Sequence, residues 1–98
     1  MTMHNPPHPG EFIRSVYLEP FDMSARALAE NLAVSPSTLN RVITGKSGIS
    51  PDMALRLSKA LGRSAESWLA MQDHYDLWQA KQRMELDQVQ HIEFAAEQ

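Results

Sequence analysis

Ser35, Ser37, Thr38, Asn40, Arg41, Thr44, Lys46 and Ser47 fall in one short stretch, interleaved with the apolar residues Val34, Leu39, Val42 and Ile43. These polar types share one chemistry, hydrogen bonding to base edges and phosphates. An arginine pairs bidentately with guanine in the major groove, and an asparagine does the same with adenine. Short hydroxyl side chains near a helix N-terminus contact bases and adjacent phosphates, and the free N–H groups there favour phosphate. With Leu39, Val42 and Ile43 facing inward, a helix across this stretch turns Ser37, Thr38, Asn40, Arg41 and Thr44 outward or toward its rim. Lys46 and Ser47, in the following loop, sit where backbone phosphates pass. The alternative is an ordinary helical hairpin.

Other chemistries are thinly represented. There is no cysteine, which excludes disulfides, zinc–thiolate sites and a thiol nucleophile and fits a reducing cytoplasm. His4 and His8 lie among prolines, where a four-residue spacing has no helical meaning, and His74 lacks a second histidine one turn away, so neither metal nor cofactor is expected. No glycine-rich phosphate loop and no Ser/His/Asp arrangement points to an enzyme.

The elements that must hold the polar stretch are marked by caps. Ser24 is a favoured N-cap with Met23 and Leu28 flanking it as a hydrophobic staple. Ser35 repeats the pattern with Pro36 at the first helical position and Val34 and Leu39 as its staple, and Gly45 suits the end of the helix. Ser50, Pro51 and Gly62 frame the next helix, with Met53, Ala54, Leu57 and Leu61 as its buried stripe. Leu28, Ala29, Leu32, Val34, Leu39 and Val42 then fill the wedge between two steeply crossing helices. A helix from about Pro9 to Glu19 precedes them, its inner face being Phe12, Ile13, Val16 and Tyr17. A fifth helix runs from Ser64 to about Met84, with Trp68, Met71, Tyr75 and Trp78 as one stripe widened by Leu69 and Leu77. From Val89 to Phe94 apolar and polar residues alternate, which suits a short strand or a tail.

The chain has 98 residues and a formal net charge of −3. That size suits one domain burying somewhat over about 60% of its unfolded surface, a margin that a dimer partner would widen. The total charge conceals a division. Residues 24–63 hold six basic against two acidic side chains, whereas residues 64–98 hold two against seven. Two surfaces with two partners are therefore expected. No segment approaches the roughly 20 apolar residues of a membrane span, and Met1 to Gly10 lacks the apolar core of a signal peptide. The expected division is a flexible tail at 1–8, a helix-turn-helix domain at 9–84 with its motif at about 24–44, and a C-terminal extension at 85–98.

This arrangement resembles the Cro/434-repressor-like (XRE) helix-turn-helix, and within it the HigA (VapI-like) antitoxins. The resemblance covers about residues 8–80. It rests on His8-Pro9-Gly10-Glu11, Leu18-Glu19-Pro20, Leu28-Ala29, Gly45-Lys46, Gly48-Ile49-Ser50, Ala54-Leu55-Arg56-Leu57, Trp68-Leu69 and Tyr75-Asp76-Leu77, in that order. Ala33 departs from it, standing where many such motifs have glycine; a left-handed alanine costs on the order of 1 kcal/mol. The resemblance implies an all-α, five-helix lambda-repressor-like (Cro/C1-type) fold. It implies a dimeric antitoxin that neutralises a HigB-type RNA-cleaving toxin and represses its own operon. It also implies that Ser37, Thr38, Asn40 and Arg41 read bases while Ser35, Thr44, Lys46 and Ser47 hold phosphates. A dimer would set two recognition helices roughly 34–36 Å apart on near-palindromic double-stranded DNA.

Two further surfaces are suggested. Tyr75 and Trp78 belong either to the core or to a dimer interface, where aromatics are enriched; Trp68, beside the fourth helix, belongs with the core. Ile92 and Phe94 would join that interface if the last segment paired with its counterpart across the dimer axis. A basic toxin would meet either the acids Glu66, Asp73, Asp76, Glu85 and Asp87 or the group Glu11, Glu19 and Asp22. Rival functions are a repressor without a toxin and a toxin inhibitor that no longer binds DNA.

Overall fold

Serine caps set the helix boundaries in the computed structural model, which describes residues 5–94. The Ser24, Ser35, Ser50 and Ser64 hydroxyls accept from the N–H groups of Ala27, Thr38, Met53 and Ser67 at 3.0–3.1 Å. Each thereby satisfies one of the orphan donors of a helix start. The elements are α1 (Pro9–Ile13), which continues into a π-helical turn (Arg14–Leu18), then α2 (Ala25–Leu32), α3 (Pro36–Ile43), α4 (Pro51–Leu61) and α5 (Ala65–Arg83). The architecture is all-α.

One core joins all five helices. Ile13 and Leu18 meet Leu28, Ala29 and Leu32 of α2, Leu39 and Val42 of α3, Met53, Ala54 and Leu57 of α4, and Trp68 of α5. Val34, the sixth wedge residue, packs on this core half-buried. Trp68 stands edge-on to Phe12 at 5.9 Å, and the Arg63 guanidinium lies over the Phe12 ring at 5.1 Å. Its indole N–H is buried with no hydrogen-bond partner among the described residues. Burying so large a ring gains about 4–6 kcal/mol, more than the roughly 1–3 kcal/mol an unpaired donor costs.

The first helix departs from expectation. Val16, assigned to its inner face, is exposed, and Leu18 is buried instead. The π turn is the cause: the Glu19 N–H reaches back five residues to the Arg14 carbonyl at 2.9 Å, so the inward phase slips along the chain.

Ala33 ends α2 in the left-handed conformation, φ 60°. Arg56 offsets part of that cost. Its Nη1 donates to the Leu32 carbonyl at 2.8 Å and the Ala33 carbonyl at 3.1 Å, tying α4 to the end of α2. Thus one cation counted above in the basic centre is committed to helix capping. Arg56→Met should leave two carbonyls unpaired and destabilise the chain by about 1–3 kcal/mol in a urea titration. An unchanged midpoint would show that water replaces the guanidinium at no cost.

No strand forms among the described residues. From residue 85 to 94 the chain is irregular, and Leu86, Val89, Ile92 and Phe94 are exposed. The alternation at 89–94 has no ladder partner among the described residues, and a lone strand is unstable.

Candidate nucleic-acid interface

α3 is seated from beneath and open above. Leu39 and Val42 are 0% and 2% exposed, while Ser35, Ser37, Thr38, Asn40, Arg41 and Thr44 are all exposed. The structure thus brings the four expected base readers and the four expected phosphate holders onto one helix and the turn after it. No described segment covers that face.

The hydrogen bonds distinguish these residues. Ser35 Oγ accepts from the Thr38 N–H and donates to Thr38 Oγ1 at 2.9 Å, which leaves the Thr38 hydroxyl proton for an outside acceptor. Thr44 Oγ1 donates to the Asn40 carbonyl at 2.8 Å. Ser35 and Thr44 must therefore rotate their hydroxyls before they can donate to a phosphate. Arg41 Nε donates to Ser47 Oγ at 3.1 Å, which leaves both terminal guanidinium nitrogens and the Ser47 proton available. The backbone N–H groups of Lys46 and Ser47 both donate to the Arg41 carbonyl, at 2.8 and 3.0 Å, folding the turn back beside α3. Gly45, at φ 82°, makes that turn.

Two residues behind this face escaped the sequence reading. Gln72 is buried in α5; its Oε1 accepts from the Ile49 N–H at 2.8 Å and its Nε2 donates to Asp76 Oδ1 at 3.0 Å. Its position four residues after Trp68 places it on the core face, but a polar type gives no signal in an apolar stripe. His8 is the N-cap of α1, its Nδ1 accepting from the Gly10 N–H at 2.8 Å. Burial pushes the imidazole below its ordinary pKa, opposed by the Asp76 carboxylate. A histidine just before a proline at the first helical position was the available signal.

The remaining expected residues lie apart from α3's outer face. Tyr75 is half-buried with its ring edge-on to His8 at 5.0 Å, and Trp78 is half-buried farther along α5. Ile92 and Phe94 are exposed in the irregular C-terminal segment, at 62% and 69%. No group of histidines and acids that could hold a metal occurs among the described residues, and no described helix is long and apolar enough to cross a membrane.

Two short helices, crossing over a shared apolar wedge with the second exposed along its polar face, define a helix-turn-helix protein. Comparisons with known proteins agree. The family profile described as "Helix-turn-helix" (HTH_3) matches residues 16–68. Virulence-associated protein I of Dichelobacter nodosus is 51% identical over 75 residues, covering 76% of this chain and 69% of that protein. The structure of the antitoxin GraA superposes with a TM-score of 0.84 at 39% identity, covering 92% of this chain and 99% of that one. Pseudomonas aeruginosa antitoxin HigA, solved with the higBA promoter, superposes with a TM-score of 0.75 at 43% identity, covering 79% and 84% of the two chains. The chain belongs to the helix-turn-helix family, among its HigA-type antitoxins, and is not an enzyme.

Proposed function

We propose that this chain is a dimeric, sequence-specific DNA-binding antitoxin that represses its own operon and neutralises a HigB-type RNA-cleaving toxin in the cytoplasm. The observation that carries the DNA half is the open polar face of α3 above a fully buried Leu39–Val42 seat. In this reading Ser37, Thr38, Asn40 and Arg41 read bases. Lys46 and Ser47 hold phosphates as they stand, and Ser35 and Thr44 do so after hydroxyl rotation. The toxin half follows from likeness to proteins named as antitoxins and from the seven acids at 64–98, which suit a basic, RNA-cleaving partner. The dimer half places Tyr75, Trp78, Ile92 and Phe94 at the contact between copies.

The test is titration of the chain against a duplex from immediately upstream of its own reading frame, at several salt concentrations. Binding should weaken by about 0.9 log units per neutralised phosphate for each tenfold rise in salt. A flat response, or equal affinity for an unrelated duplex, would refute specific recognition by α3. Co-purification of the chain with a small basic protein encoded beside it tests the toxin half.

A further inference from the structure

The turn that carries Lys46 and Ser47 is tied at its far end to α5 and flanked at its near end by His8, the N-cap of α1, which itself rests on α5. At its far end Gln72 Oε1 takes the Ile49 N–H at 2.8 Å, and the Gln72 amide is itself oriented by Asp76 at 3.0 Å. The amide fits only because residue 48 is glycine: a Cβ at Gly48 would stand 2.9 Å from Gln72 Cδ. At its near end the His8 ring packs beside the turn, about 4.0 Å from where a Gly45 Cβ would stand. Tyr75 supports that ring edge-on at 5.0 Å from behind. Gln72, Tyr75 and Asp76 are thus three residues of one helix holding a turn that belongs to another.

From this arrangement we infer that Gln72 and the His8–Tyr75 pair are positioning residues for DNA binding: they fix the turn so that Lys46 and Ser47 meet phosphates. The Lys46 and Ser47 N–H groups tie the turn to the Arg41 carbonyl of α3, but Gly45 and Gly48 leave its two ends conformationally free. The Gln72 hydrogen bond at one end and the His8 ring, backed by Tyr75, at the other restrain them.

The inference rests on the DNA reading above, and the experiment separates the two. The full chain and the variants Gln72→Met and His8→Asn are titrated against the upstream duplex across a salt series, with circular dichroism to follow folding. Methionine keeps the bulk of Gln72 without its hydrogen bonds, and asparagine keeps a capping oxygen for Gly10 but has no ring to stand between Tyr75 and Gly45. The slope of log affinity against log salt reports how many phosphates are neutralised and does not change with the fraction of folded protein. Each variant should lose about 0.9 of slope per subunit, the contribution of one lysine. Lys46→Ala should lose the same amount, and combining it with Gln72→Met should lose no more. Preference for the upstream duplex over an unrelated one should persist, because Asn40 and Arg41 are untouched. Should Gln72→Met fail to fold, Gly48→Ala breaks the same tie by displacing the amide. A parent chain that does not bind the duplex defeats the DNA reading. A parent that binds with a steep slope, and variants that keep it, defeat the positioning role alone.

Discussion

Gly10→Ala should destabilise the chain by about 3 kcal/mol or more, a drop of more than about 12 °C in Tm for a domain of this size. A Cβ at Gly10 would lie 2.0 Å from the Val42 carbonyl oxygen and 2.8 Å from Ile43 Cα. Both obstacles are backbone, so no side chain can rotate aside. Either α1 separates from α3 or α3 itself moves. Ile13 is fully buried one turn later, and α1 cannot retreat without uncovering it. Marginal domains hold about 5–15 kcal/mol in total, so the loss is a large share. The site suffers with the fold, because Val42 and Ile43 form the end of the helix that carries Asn40 and Arg41. Thermal melting followed by circular dichroism checks this. A variant melting within a few degrees of the parent would mean that the two helices do not approach this closely in solution.

Asn40→Ala combined with Arg41→Ala should remove most sequence discrimination and leave the fold almost untouched. Each bidentate base contact contributes about 1–3 kcal/mol of discrimination, so the pair accounts for about 2–6 kcal/mol, a specificity ratio lowered by roughly 30-fold or more. Stability should change by no more than about 0.5 kcal/mol, since both side chains are exposed and the one hydrogen bond lost, from Arg41 to Ser47, lies at the surface. Competition between the upstream duplex and an unrelated duplex measures the ratio. An equal loss on both duplexes would assign these side chains to phosphates and leave base reading to Ser37 and Thr38.

The core wedge around α3 was legible because its signals are periodic and dense. Leu28, Ala29, Leu32, Leu39 and Val42 recur at helical spacing, and all five are buried. The α5 stripe was legible only in part. Trp68 is fully buried, but Met71, Tyr75 and Trp78 are half-buried and Leu77 is exposed, while Gln72 takes the buried place. Apolarity marks which residues seek burial. It does not mark a polar residue whose burial is compensated by a backbone N–H from another element.

What the amino-acid order determined unaided was local: the starts of α2, α3, α4 and α5 at Ser24, Ser35, Ser50 and Ser64, and the split between the inner and outer faces of α3. Capping and periodicity act over at most four or five residues, so the sequence carries them directly. Only the tertiary structure decided that Leu18 replaces Val16 in the core, that Arg56 caps α2, that Gly10 admits α3, that Gln72 bonds the turn after it and that His8 packs beside that turn. Each of these depends on the distance and angle at which two separate elements cross, and such geometry is set jointly by all the side chains between them rather than by any neighbouring run of residues.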